Sequence, residues 1–299
     1  MKKFFTIALA AVTVVAALAG CGSSGNSNDS SSSNGNDSSS NSAKKTVKVI
    51  QVDLTEEEYA FGVDKTQPEL LDSVNDFIKQ IQDDGTFDEI CNKYFGDGTP
   101  DPVSSATLDE SKDQLLVATN AAFEPFEYTK GDSYYGVDME IAAALAEYLG
   151  KELVIQNMDF DAVCLSVGQQ KCDIAMAGLT VKPDREEYVT FSSSYYVASQ
   201  RLITLSDDTE FDSCTDAVSI EAILNEKDSS VKIGVQNGTT GQFYVEGDEE
   251  WEFDGFAATA VGYKNGALAV QDLLNGNIQY VIIDSAPAAF ITESINKMQ

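Results

Sequence analysis

The chain has 299 residues, 43% of them hydrophobic, with 19 Lys and Arg against 49 Asp and Glu and a formal net charge of −30. So acidic a chain is a poor match for nucleic acid, and no such partner is expected. Histidine is absent, which removes every Ser-His, Cys-His and His-metal arrangement, so neither a metal nor a cofactor is expected.

The chain opens on a targeting signature. Lys2 and Lys3 precede an uncharged stretch, Phe4 to Gly20, that is short for a membrane-spanning helix of about 20 residues plus flanks. It ends in Leu18-Ala19-Gly20-Cys21, small residues before a cysteine. This lipobox pattern predicts a lipoprotein signal peptide over residues 1–20, with Cys21 the lipidation site. The competing readings are an ordinary secretory signal or an uncleaved anchor. Residues 21–43 are dominated by Ser, Asn, Gly and Asp. They hold too little apolar surface to fold and are expected to be a disordered leash with a typical span of about 25 Å. The folded body is expected over residues 44–299.

Within the body, Lys48 to Asp53 reads as a strand. Pro68 to Gln82 places Leu70, Leu71, Val74, Phe77, Ile78 and Ile81 at helical spacing. A second helix is expected over Thr86 to Phe95, with Thr86 its N-cap. Gly96 to Lys112, with glycine, prolines and Asp, reads as a linker. Gln114 to Thr119 reads as a buried strand, Gly136 to Leu149 as a helix closed by Gly150, and Glu152 to Gln156 as a strand. A helix follows over Phe160 to Gln169 and a strand over Cys172 to Ala177. Arg201 to Leu205, Lys232 to Gln236 and Gln279 to Ile283 read as strands, and Ala267 to Leu274 as a helix. The alternation predicts an α/β fold with mostly parallel sheets. Cys91, Cys164, Cys172 and Cys214 form no C-x-x-C pair, which argues against zinc. Export permits disulfides, and a bridge and free buried thiols both stay open.

Loops after strand C-termini are where ligands sit in open α/β sheets. Asn120 to Tyr128 offers Phe123 and other rings beside one neutral amide, although such a loop is more often core. Met158-Asp159-Phe160-Asp161 precedes a helix that Asp159 could cap, and Phe160 could be core or a ligand wall. Ala177-Gly178-Leu179-Thr180 is followed by Arg185. Gly178 permits close backbone approach to an anion, Thr180 adds a hydroxyl, and Arg185 can grip a carboxylate by two parallel hydrogen bonds. An isolated arginine is usually a surface ion pair. Its spacing from Gly178 and Thr180 is what sets Arg185 apart. Gly234 to Gly241, with Gln236, Gly238 and Thr240, resembles an anion cradle but lacks the lysine of a nucleotide loop. Asp284, after the last strand, could hold an ammonium or cap the next helix.

Several stretches in order, LLVATNAAFEPFEY, GVDMEIAAALAEYLG, MDFDAV, DIAMAGLTVKPDREEYVTFSSSYY, GVQNGTTG and VIIDSAPAAF, resemble the bacterial amino-acid-binding proteins of ABC uptake systems, with the glutamine-binding type the nearest. The resemblance spans residues 112–299. It implies a type II periplasmic-binding-protein-like α/β fold, two lobes joined by two hinge strands. It also implies a free amino acid as ligand, ABC permease subunits as partners, and a monomer tethered through Cys21 to the outer face of the cytoplasmic membrane. By the same resemblance, Arg185 binds the α-carboxylate with Thr180, Gly178 and Thr240. Asp284 and the Ala177 carbonyl bind the α-ammonium, and Phe123 and Phe160 sandwich the side chain. Asn120 stands where the family often has aspartate, and Gln236 where the glutamine-binding type has lysine, which points to a neutral polar amino acid. Some relatives of this fold are dehydratases, and a sensor subunit is a further alternative.

Residues 54–99 resemble the family's closing segment, displaced to the front. This predicts a circular permutation, made tolerable by termini that lie close together. Lobe one is expected over 59–197 and lobe two over 201–299 plus 44–52, with hinge strands near 53–58 and 198–202. A leftover fragment of a neighbouring gene copy is the alternative.

Overall fold

The structure is a computed structural model that describes residues 44–299. The signal segment, Cys21 and the leash lie outside the described residues. The body begins with strands β1 (Val47–Val49), β2 (Glu57–Tyr59) and β3 (Gly62–Asp64), then helices α1 (Pro68–Asp84) and α2 (Thr86–Phe95). In α1 the apolar residues Val74, Phe77, Ile78 and Ile81 are the buried ones, as their spacing requires. Gly85 ends α1 at φ 88°, a left-handed conformation that costs glycine nothing. Thr86 is not the cap of α2. It is the first helical residue, and its N–H is accepted by the Asp84 side chain at 2.9 Å.

Strand β4 (Gln114–Thr119) leads into a small meander, β5 (Ala122–Phe123), β6 (Glu127–Lys130) and β7 (Ser133–Tyr135). Helix α3 (Val137–Leu149) ends at Gly150, φ 69°. Then come β8 (Glu152–Asn157), a 3-10 turn over Phe160–Ala162 running into α4 (Val163–Gly168), β9 (Ile174–Ala175), α5 (Pro183–Glu186), β10 (Val189–Phe191) and β11 (Tyr196–Ala198). The last part alternates regularly: β12 (Gln200–Leu205), α6 (Ala217–Asn225), β13 (Lys232–Gln236), α7 (Thr240–Glu246), β14 (Thr259–Tyr263), α8 (Gly266–Asn275), β15 (Tyr280–Asp284) and α9 (Ser285–Met298).

These strands form two five-stranded sheets, ordered β10-β3-β9-β4-β8 and β1-β12-β15-β13-β14. The short antiparallel ladder of β2 with β11 (Tyr59 opposite Tyr196, Ala198 opposite Glu57) is the crossing between them. The sheets are mixed rather than mostly parallel. Strand β3 runs antiparallel to β10 and β9, and β12 antiparallel to β1 and β15. Strands that follow the crossing enter each sheet from the opposite end to those connected by helices, and only helical crossovers such as β4–α3–β8 give parallel neighbours.

The front segment is part of both cores. Tyr59, Phe61 and Val63 are 0%, 1% and 0% exposed and pack with Leu115, Val117 and Ile174. Ile50, Val52 and Leu54 join the second core with Leu202, Val235 and Ile282. Each such side chain contributes about 1.5–3 kcal/mol by burial. Residues after Gly96 run along the meander and the first sheet: Val103 bridges Tyr134 of β7, and Ala106 N–H donates to the Leu153 carbonyl of β8 at 2.8 Å. At the other end, the Asn296 side chain bonds both the N–H and the C=O of Val47, at 3.0 and 2.8 Å. Cys91, Cys164, Cys172 and Cys214 are all free thiols.

Candidate ligand-binding site

The loops after β4, β9, β13 and β15 converge beside the β2–β11 crossing. Arg185, on α5, is 7% exposed. Its Nη1 donates to the Thr180 carbonyl at 2.7 Å and its Nη2 to the Gly238 carbonyl at 3.1 Å, and its Cζ lies 5.3 Å from the centre of the Phe160 ring. Thr180 belongs to the first lobe and Gly238 to the second, so one guanidinium spans both. Carbonyls and a ring satisfy it without a carboxylate partner, a buried cation suited to an incoming anion.

Glu57 is a buried acid at the site that sequence reasoning missed. In β2, Glu57 and Tyr59 point inward and Glu58 outward, the alternation a strand imposes. The Glu57 carboxylate is 3% exposed. Its Oε2 accepts from the Thr180 and Thr240 hydroxyls at 2.6 and 2.8 Å, and its Oε1 from Thr55 Oγ1 and Gln200 Nε2 at 2.6 and 3.1 Å. The two hydroxyls expected on a ligand carboxylate therefore meet on one carboxylate of the protein.

Asp284, 4% exposed, precedes α9 but makes no side-chain cap bond. It accepts the Tyr59 hydroxyl instead. Burial and then the charge of Glu57 push its carboxyl up to about 7. Asp284 sits directly across from Gln200 in the β12–β15 register.

Asn120 and Gln236 join the lobes a third time. Gln236 Nε2 donates to Asn120 Oδ1 at 3.1 Å, Asn120 Nδ2 donates to the Met158 carbonyl at 2.6 Å, and Gln236 Oε1 is buried without a donor. Gly178 has φ +53°, and a Cβ there would lie 2.9 Å from Phe123 Cε1. Its N–H is already taken, donating to Asp138 Oδ2 at 2.9 Å, so the anion this glycine admits is the protein's own. Ala177 is fully buried beside it. Phe123 stacks on Phe126, with centroids 6.1 Å apart, while Phe160 faces Arg185. Each ring thus has its own protein neighbour. Asp159 caps nothing through its side chain and pairs with Lys264 at 3.4 Å. The Gly238 N–H donates to Gln242 Oε1 at 2.8 Å. Among the described residues no cluster of three or more Cys, Asp or Glu is placed to hold a metal, and no helix is long and apolar enough to cross a membrane.

Two mixed α/β lobes, a strand crossing and polar loops meeting at that crossing define a type II periplasmic-binding-protein fold. The chain matches the profile of the bacterial extracellular solute-binding proteins, family 3, over residues 8–97 and 115–286, and it belongs to that family. It is 35% identical over 104 residues to the arginine-binding extracellular protein ArtP of Bacillus subtilis (strain 168), covering 35% of this chain and 41% of that protein. It is 29% identical over 175 residues to ABC transporter arginine-binding protein 1 of Escherichia coli (strain K12), covering 58% of this chain and 64% of that protein. The matched part thus spans less than two thirds of either relative. A solved structure, the ancestral amino acid-binding protein AncCDT-1, a precursor of cyclohexadienyl dehydratase, superposes with a TM-score of 0.51 at 26% identity, covering 70% of this chain and 78% of that one.

Proposed function

We propose that this protein is the extracytoplasmic substrate-binding component of an amino acid ABC importer, trapping a free amino acid by hinge closure. The observation that carries the proposal is the Arg185 guanidinium, buried without a carboxylate partner and bonded to carbonyls of both lobes. The α-carboxylate docks on Arg185 with Thr180 and Thr240, Asp284 takes the α-ammonium, and closure about β2 and β11 buries the ligand. The ligand class is a neutral polar amino acid. Asn120 supplies no charge, and the donor-free Gln236 Oε1 fits a side-chain N–H. The relatives named for arginine favour a second reading, a guanidinium at the same end of the cleft. A thermal-shift panel of the twenty amino acids and cystine tests both: arginine stabilising while glutamine and cystine do nothing overturns the neutral reading, and no response to any amino acid overturns the binding function.

The partners in this reading are permease subunits, and the monomer is held at the outer face of the membrane by a lipid on Cys21. The lobes are residues 59–197, and residues 201–299 with 44–52. Two observations support a circular permutation: the family profile matches in two separate stretches, and β2, β3, α1 and α2 complete the first core. The leash then enters at β1, on the sheet that also holds α9, so the trap is tethered through its second lobe. A dehydratase is the alternative that the AncCDT-1 likeness favours, and recovery of the amino acid unchanged after incubation argues for binding alone. A sensor subunit is distinguished by its gene neighbourhood.

A further inference from the structure

The floor of the cleft holds two carboxylates with no cation of the protein's own. Glu57 and Asp284 are 3% and 4% exposed, and among the described residues neither makes an ion pair with lysine or arginine. Gln200 stands between them, fully buried. It lies opposite Asp284 in the sheet, and its Nε2 donates to Glu57 Oε1 at 3.1 Å and Thr240 Oγ1 at 2.9 Å. Its Oε1 is buried with no donor. Two carboxylates therefore lie in one buried cluster that holds no cation of the protein's own. An ammonium group has three N–H donors and no acceptor, and a buried charge needs its hydrogen bonds made and its countercharge present.

We propose that Glu57 and Asp284 together seat the α-ammonium of the ligand, and that Glu57 is a ligand-binding residue which exchanges its hydroxyl partners when the ligand arrives. The inference rests on the cleft being an amino-acid site. A threonine hydroxyl has one proton and serves one acceptor at a time. In this structure Thr180 and Thr240 both serve Glu57, so Glu57 occupies the chemical role of the ligand's carboxylate. On binding, the hydroxyls turn to that carboxylate, and Glu57 receives a charge-assisted N–H in their place. Tyr59 is the neighbouring inward residue of the same strand and fixes Asp284 through its hydroxyl, so one short strand sets the positions of both acids.

The test is calorimetric, on the full-length protein. A panel of proteinogenic amino acids first identifies the ligand, and if none binds, the functional reading and this seat fall together. The bound amino acid is then compared with the same acid lacking its α-amino group: glutaramic acid against glutamine, or 5-guanidinopentanoic acid against arginine. The wild type should prefer the amino acid by about 100-fold or more. In Glu57→Gln the preference should drop below about tenfold with affinity for the deaminated acid held or improved, and Glu57→Asp should keep most of it. Equal weakening of both ligands with the preference intact would mean a structural role only and overturns the proposal. Should neither variant fold, a crystal structure of the wild-type complex decides. An ammonium nitrogen within hydrogen-bond reach of both carboxylates supports the seat. A nitrogen held by Asp284 and the Ala177 carbonyl, with Glu57 still bonded to both threonines, overturns it.

Discussion

The Lys182 ammonium nitrogen lies 2.7 Å from an Asp248 carboxylate oxygen, with the side chains 4% and 6% exposed. Lys182 follows the Thr180 loop of the first lobe, and Asp248 follows α7 of the second. Glu250 bonds the same nitrogen, and the rings of Phe243 and Trp251 lie 5.0 and 5.7 Å from it. Burial alone would lower the affinity of Lys182 for its proton, but its bonds to Asp248 and Glu250 outweigh that and raise it. The lysine thus ties the loop after Thr180 to the segment after α7, and in the proposed hinge closure it would act as a latch. Replacing it leaves Asp248 without its cation, so Lys182→Met should disfavour closure by about 2 kcal/mol, the value of a hydrogen bond to a charged group.

Trp251 is the only tryptophan of the chain, which makes its fluorescence a reporter of this contact. Lys182→Met should red-shift the emission of the unliganded protein and weaken ligand binding by about 30-fold, the same 2 kcal/mol. Saturating ligand should restore the emission. Unchanged emission and affinity would remove the latch.

Binding should depend on pH through Asp284, whose carboxyl burial and Glu57 push up to about 7. The raised acid keeps its proton in the folded state after the unfolded chain has lost it. Unliganded stability should therefore fall as pH rises from about 4 to about 7. Asp138, pushed up to about 7 by burial against the opposing bonds from Gly178 and Tyr195, acts in the same direction. Burial and the charges of Asp138 and Asp284 drive the Glu127 carboxyl well above the usual carboxylate range. An ammonium needs Asp284 ionised, so affinity should weaken about tenfold per unit below pH 7, reaching about 100-fold at pH 5. Calorimetry between pH 5 and 8 checks this, and a flat wild-type profile would contradict it.

Residues 44–99 should be indispensable for folding. A chain beginning at Thr107 lacks Tyr59, Phe61, Val63, Phe77 and Ile78, all 0–3% exposed. Loss of each large core side chain costs about 2–5 kcal/mol, and together they exceed the about 5–15 kcal/mol that holds a domain folded. Urea unfolding followed by circular dichroism should show no cooperative transition. A cooperative, ligand-binding fragment would make the front segment an appendage and end the permutation reading.

Cys91 should be inert in the native protein. Burial and the nearby Asp88 and Asp138 charges push its thiol up to about 12, leaving little thiolate to react. Iodoacetamide labelling mapped by peptide mass spectrometry should modify it far more slowly in native buffer than in denaturant. Equal rates would contradict its burial.

Local signals in the sequence located most elements. The apolar spacing of α1, the glycine after α3 and the strand Lys232–Gln236 all stand where periodicity and capping put them. What escaped depends on partners distant in sequence. The antiparallel runs of β3 and β12 follow from the crossing between sheets, which no local pattern encodes. The strand expected over Cys172 to Ala177 shortens to Ile174–Ala175, since pairing, not hydrophobicity, sets its length. Glu57 lay hidden in the run Glu56-Glu57-Glu58, and only its alternation with Tyr59 in a strand distinguishes it. Lys182 resembled any surface lysine beside a proline until Asp248, 66 positions on, was brought against it.

Titration of the full-length wild type and of Arg185→Ala with the amino acid that stabilises the protein is the most direct test of the trap. The wild type should bind with micromolar affinity. The variant should lose at least about 100-fold, as expected when a buried charge loses its partner, with its circular dichroism unchanged. Wild-type affinity in Arg185→Ala would show that the guanidinium does not hold the ligand, and the site would have to be sought elsewhere.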